Sequence, residues 1–206
     1  MSESFQRIYL SDELSSVAIE QKQAIDFYFN ETLFPDEQEH FTSRINELRK
    51  VEFLGVRRLR TKLNLQSAIK YLESGKPFLC DQLDTFISIS HSKNYCALGT
   101  SLKEIGIDIE EINPRIGRIA SRFVHDDERR FIGEQTLLDL TKLWTMKEAM
   151  FKLNKRSGIE FKSELVIEEK SGDIYYGKML TELSWEQVTI DCFQVGELVV
   201  SACRYS

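Results

Sequence analysis

The chain has 206 residues, of which 42% are hydrophobic and 29% charged, and its formal net charge is −6. That is the composition of a folded chain with room for one good core or two small halves, and it excludes a disordered tract. The acidic balance argues against general nucleic-acid binding, and no apolar run approaches the roughly 20 residues of a bilayer span. The opening MSESFQRIYLSDEL carries early acids and no apolar core segment, so it does not read as a signal peptide and a cytoplasmic location is expected.

In chain order, residues 11 to 31 read as a helix, with Ser11 as cap and Leu14 opening the apolar series. Residues 36 to 65 read as one or two helices. Phe53, Val56, Leu59 and Leu63 recur at three- and four-residue spacing, with Leu48 and Leu54 close to the same side. SGKP at 74–77 signals a turn; DTFISIS and YCALGTS read as two strands joined by HSKN. A further strand covers 105–110 and NPR at 113–115 ends it. IGRIASRFV at 116–124 reads as helical, and DDERRFI at 126–132 as a second helix start, with acids where the helix dipole favours them.

LTKLWTMKEAMFKL at 140–153 is a strong amphipathic helix whose apolar stripe is Leu143, Met146, Met150 and Leu153. Four strand-like runs follow: ELVIEEK, DIYYGKML, WEQVTIDCFQ and ELVVSACRY. Helix followed by strand-turn-strand occurs once before residue 103 and once after it. The order of elements predicts an α+β protein of two similar halves, 1–103 and 104–206, with a pseudo-two-fold relation and the active site at their interface. The four cysteines form no C-x-x-C pair, and with three scattered histidines (His40, His91, His125) no spacing suggests zinc.

The stretch EIGIDIEEI poses the sharpest question. Ile105, Ile107 and Ile109 fall on one face of a strand, and Gly106, Asp108 and Glu110 on the other. Two carboxylates at this spacing are about 7 Å apart and repel by roughly 2 kcal/mol at an effective dielectric near 20. A face turned to water tolerates that; a face that holds a cation such as Mg²⁺ uses it. Spacing alone does not choose. Glu148 and Lys152 are four apart on the amphipathic helix, the arrangement of many solvated ion pairs, but Trp144 lies one turn earlier on the same face. His91 and Ser90 stand at a strand end, Lys76 in a turn, and Arg57, Arg58, Arg60 and Lys62 on one helix. Turn and helix-face residues of this kind usually meet water; they also suit phosphate.

In the order EFLGVRRL, GKP, SISHS, GIDIE and LWTMKEAMFK, from about residue 45 to 160, the chain resembles the 4′-phosphopantetheinyl transferases of the larger, two-half, surfactin-synthetase-activating class. The resemblance implies the fold of that family and Mg²⁺-dependent transfer of the phosphopantetheine arm of coenzyme A to a serine of an apo acyl or peptidyl carrier protein, as in holo-acyl-carrier-protein synthesis. Adenosine 3′,5′-bisphosphate is the other product. By matching position, Asp108, Glu110 and Glu148 would hold Mg²⁺. Arg57, Lys76, Ser90, His91 and Lys152 would contact the coenzyme. Glu148 is the first candidate for general base and Glu128 the second. Arg115, Arg118 and Arg122 are offered as the face that docks an acidic carrier, and a monomer would hold the whole site.

The sequence departs from the family at Asn94, where relatives often have Gly, and near 154 and 155, where a frequent glycine is absent. A non-catalytic relative that only binds coenzyme A or carrier is the alternative. An unrelated α+β interaction protein is a third.

Overall fold

The computed structural model describes residues 5–43, 46–131, 136–154 and 156–206. Its contacts cluster into two units, Met1–Lys103 and Glu104–Ser206. Both mix helices with antiparallel sheet.

In the first unit β1 (Phe5–Tyr9), β2 (Ser16–Gln21), β5 (Phe86–His91) and β6 (Tyr95–Ser101) form a sheet in the order β1-β2-β6-β5, and β3 (Ile69–Tyr71) pairs with β4 (Pro77–Leu79). Helices α1 (Pro35–Thr42) and α2 (Glu47–Lys62) accompany them. The helix expected over 11–31 is not there. Asp12 Oδ1 accepts the amides of Leu14 and Ser15, which turns SDEL into the connection between β1 and β2. SVAIEQ then takes an inner place in the sheet, where Val17, Ala18 and Ile19 are all buried. Burial on both faces erases the alternation that marks a strand, so tertiary context overrode the local pattern. On α2 the stripe of Phe53, Leu54, Val56, Leu59 and Leu63 is buried as expected, but Leu48 is 54% exposed and does not share it.

Asn94 does not use the left-handed region: among the described residues the non-glycine positions with positive φ are Glu13 and Asn64. Its turn is closed by Ser92 N donating to Tyr95 O (3.0 Å) and Lys22 N donating to Asn94 O (2.7 Å), so no glycine is required there. Position 155 lies outside the described residues.

In the second unit one antiparallel sheet runs β7-β11-β10-β9-β8, from β7 (Ile105–Glu111), β8 (Leu165–Ser171), β9 (Ile174–Leu180), β10 (Trp185–Val195) and β11 (Leu198–Tyr205). Pro114 opens α3 (Pro114–Ile119), whose N-cap Asn113 accepts the Arg115 amide, and a 3-10 turn Ala120–Arg122 follows. The helix start expected at 126–132 is a single 3-10 turn, Asp126–Arg130; Ile132 lies outside the described residues. The long helix α4 (Leu137–Leu153) packs on β7 and β11. Its stripe of Leu143, Met146, Met150 and Leu153 meets Val188, Ile190, Cys192, Val199 and Cys203 in one core. Each such side chain gains about 1.5–3 kcal/mol on leaving water. Among the described residues no helix is long and apolar enough to cross a membrane.

Candidate active site

Gly106 decides where the acids of β7 look. A Cβ there would stand 2.1 Å from the Ala149 carbonyl oxygen and 2.6 Å from Leu153 N, so the backbone of α4 lies directly against this strand. Asp108 and Glu110 continue the same face, and α4 runs past them. Lys152 Nζ donates to Asp108 Oδ1 at 2.8 Å, and Trp144 Nε1 donates to Glu110 Oε1 at 3.4 Å. On the next strand Ser201 is the register partner of Asp108, and its hydroxyl lies 2.9 Å from Thr145 Oγ1. The two acids therefore face a helix, not open water. They also sit beside the residues of LWTMKEAMFK that the sequence analysis singled out.

The electrostatics are those of excess negative charge in a half-dry place. Burial and then the Asp108 charge push Glu110 up to about 7. Burial, then Asp108 and more weakly Glu110, push Glu148 up to about 7, against the pull of Lys152. One lysine faces three carboxylates. Among the described residues no group of three such side chains is drawn close enough to enclose an ion. The chemistry of the donor set nevertheless suits a hard divalent cation. Oxygen ligands come from two adjoining elements, and their mutual repulsion is what such an ion relieves.

Glu128, the second candidate base, stands apart from solvent. It is fully buried, as is its partner Lys147, at 2.8 Å. Glu128 Oε2 also accepts the His125 amide at 2.7 Å and Oε1 the Ile167 amide at 2.8 Å. These contacts give the Glu128 carboxylate an anchoring task in the fold.

Arg57 is likewise only 1% exposed. Its guanidinium donates to Glu37 Oε1 (3.2 Å), Ile69 O (3.2 Å) and Tyr71 Oη (3.3 Å) and stacks 3.6 Å over the Phe53 ring. With Arg60, which donates to Glu37 Oε2 at 2.5 Å, it braces α2 against α1 and β3. Its geometry supplies a structural task in place of the expected phosphate contact.

His91 and Ser90 end β5, His91 exposed and Ser90 buried; Lys76 is half-buried after the Gly75 turn. Around His91 the first unit gathers groups that the sequence analysis missed. Glu52 accepts from Lys22 (2.9 Å) and Arg49 (2.9 Å) and lies 3.4 Å from His91 Nδ1; Lys22 also donates to Ser92 O at 2.7 Å. Two cations and an imidazole gather around one acid. Arg49 had a signal, since it stands in RKVEFL just before the expected stripe. Lys22 had none, because it follows a strand that was read as helix. Arg115, Arg118 and Arg122 are all exposed.

A family model of the 4′-phosphopantetheinyl transferase superfamily matches residues 104–203, nearly the whole second unit. Among curated proteins, the 4′-phosphopantetheinyl transferase gsp of Aneurinibacillus migulanus is 33% identical over 84 residues, which is 39% of this chain and 35% of that protein. A 4′-phosphopantetheinyl transferase of Bacillus subtilis is 34% identical over 84 residues, 39% of this chain and 38% of its own. The transferase psf-1 of Bacillus pumilus is 34% identical over 92 residues, covering 43% and 39%. The chain thus spans little more than a third of the length of the curated relatives it matches. Residues 104–203, just under half of the chain, are thus similar to the 4′-phosphopantetheinyl transferase superfamily.

Proposed function

We propose that the protein transfers the 4′-phosphopantetheine arm of coenzyme A to a serine hydroxyl of an apo carrier protein and releases adenosine 3′,5′-bisphosphate. The observation that carries this is the convergence of Asp108, Glu110, Glu148 and Lys152 at the β7–α4 contact, inside the matched region. Asp108, Glu110 and Glu148 would hold Mg²⁺, which when bound supplies charge neutralisation to a pyrophosphate. Lys152, which is partly exposed, holds Asp108 in place and offers the pyrophosphate a cation. In the transfer a bond forms from the serine oxygen to the phosphorus that carries the arm. The bond from that phosphorus to the bisphosphate oxygen breaks, and the serine proton goes to Glu148.

His91, Ser90 and Lys76 are retained as coenzyme contacts, and Arg49 and Lys22 join them. A Lys/Arg/His group is the chemistry that anionic phosphate seeks. The exposed row Arg115, Arg118 and Arg122 is proposed to dock an acidic carrier in the cytoplasm, with the protein acting as a monomer.

The test is intact-mass analysis of apo acyl and peptidyl carriers incubated with the protein, coenzyme A and Mg²⁺. A phosphopantetheine mass gain that requires Mg²⁺, Asp108 and Glu148 supports transfer. Coenzyme binding without a mass gain on any carrier would identify a non-catalytic relative. Charge reversal at Arg118 and Arg122 that leaves the carrier KM unchanged would remove the docking face.

A further inference from the structure

Transfer as proposed leaves the fully buried charge pair of the second unit, Lys147–Glu128, without a task. Lys147 and Glu128 are both 0% exposed and lie 2.8 Å apart. Lys147 Nζ spends its other two donors on backbone, Phe123 O at 2.6 Å and Phe161 O at 2.9 Å. Glu128 closes the 3-10 turn through the His125 amide and ties it to the β8 edge through the Ile167 amide. One ammonium and one carboxylate therefore fasten three separate stretches of chain, at 123–128, 161 and 167, to α4.

Two of those stretches carry rings. Phe123 and Phe161 flank Trp144, with centroids 5.1 Å and 5.5 Å from the indole. The indole N–H in turn donates to Glu110. Lys147 stands one turn after Trp144 and immediately before Glu148, so the tether and the acid cluster share α4.

We propose that the Lys147–Glu128 pair is a positioning device for the acid cluster: it fixes the backbone at Phe123 and Phe161, their rings fix Trp144, and Trp144 fixes Glu110. The inference rests on the function proposed above, because it assigns the cluster a cation to hold. A bare stability role predicts something different. A buried pair whose two charges are removed together commonly recovers stability, whereas removal of one strands the other. Positioning depends on the two Lys147 bonds to Phe123 O and Phe161 O, and charge balance does not restore those.

The experiment uses the Trp185→Phe background, so that Trp144 is the reporting indole. Glu128→Gln, Lys147→Met and the double variant are compared with the parent for thermal midpoint, Trp144 emission and Mn²⁺ affinity by calorimetry. The single variants are expected to lose stability and the double variant to regain much of it. Mn²⁺ affinity is expected to stay about tenfold weaker in both variants that lack Lys147, the scale of lost outer partners of metal ligands, with Trp144 emission shifted to the red. A double variant that binds Mn²⁺ as tightly as the parent, or whose Trp144 emission is unchanged, overturns the positioning role while the metal site stands. A parent that binds no Mn²⁺ overturns the metal site itself, and the inference falls with it.

Discussion

Replacing Glu148 with Gln is expected to stabilise the metal-free fold while it abolishes transfer. Burial and the Asp108 charge lift the Glu148 carboxyl from 4.5 to about 7. A raised folded pKa means that the fold prefers the protonated form. Stability is fully present below the unfolded value and is lost as pH rises through the folded one. At 1.36 kcal/mol per unit, ionising Glu148 in the folded state costs about 3 kcal/mol by pH 8. That figure is an upper bound, because Glu110 shares the repulsion of the Asp108 charge and the two glutamates titrate together. Urea unfolding followed by circular dichroism in EDTA at pH 8 and pH 5 measures it. The Gln variant should gain about 1–3 kcal/mol at pH 8 and less than about 1 kcal/mol at pH 5. A variant less stable than the parent at pH 8, or one with the same gain at both pH values, would refute the picture of uncompensated charge at the β7–α4 contact.

Further tests bear on the scaffold and the first unit. Gly106→Ala drives a Cβ into α4 backbone and should cost about 3 kcal/mol in urea unfolding; a neutral result would mean that the helix is not seated on that strand. Glu37→Ala strands Arg57 and Arg60 in a buried place and should cost about 3–5 kcal/mol. Burial opposes the Glu37 charge, but the Ile69 amide, Arg57 and Arg60 outweigh it and hold the carboxyl below its ordinary value. Its stability is therefore present above the ordinary carboxylate range and lost as pH falls through it, and the Ala variant should show a flatter acid limb. Arg49→Ala should raise the coenzyme KM about tenfold with kcat kept, as loss of uniform binding does, whereas Arg57→Lys should lower the unfolding midpoint and leave KM alone. The reverse pattern for these two arginines would exchange their roles.

The amphipathic helices were legible from apolar stripes at helical spacing, and the later strands from runs rich in β-branched and aromatic residues, even where, as in β11, both faces are covered. Leu143, Met146, Met150 and Leu153 repeat at helical spacing, and all four are buried. SVAIEQ was not legible, since an inner strand with both faces covered shows no alternation, and the acids around it imitate a helix. The acid pair of β7 was visible as a pair, yet its orientation was not. That depends on Gly106, which matters only because α4 comes within a Cβ's radius of it. Arg57 and Glu128 show what sequence leaves unsaid about burial. Their residue types suit catalysis, but sequence does not report that both are enclosed by partners. The basic groups around Glu52 come from three separated stretches, with Lys22 and His91 69 positions apart, and no local pattern joins them.

Neighbouring residues of α4 make the distinction between structural and functional charge in physical terms. Lys147 is buried with each of its three donors used, and its partner Glu128 is enclosed with it; burial pushes Glu128 up and Lys147 down, and the pair offsets part of that cost. Glu148, the next residue, turns toward Asp108 and Glu110, where like charges add to the cost of burial. A fold selected for stability alone would not keep three carboxylates against one lysine when a Gln serves the same packing. The cost is recovered when a cation binds, because whatever binds the folded state alone stabilises it by its own binding free energy. The same repulsion that weakens the metal-free protein thus becomes its affinity for Mg²⁺. Glu148→Gln should accordingly remove its own share of the pH-dependent instability, leaving that of Glu110, and erase the thermal shift on adding Mg²⁺. A Gln variant that keeps the Mg²⁺ shift would break the link between the two.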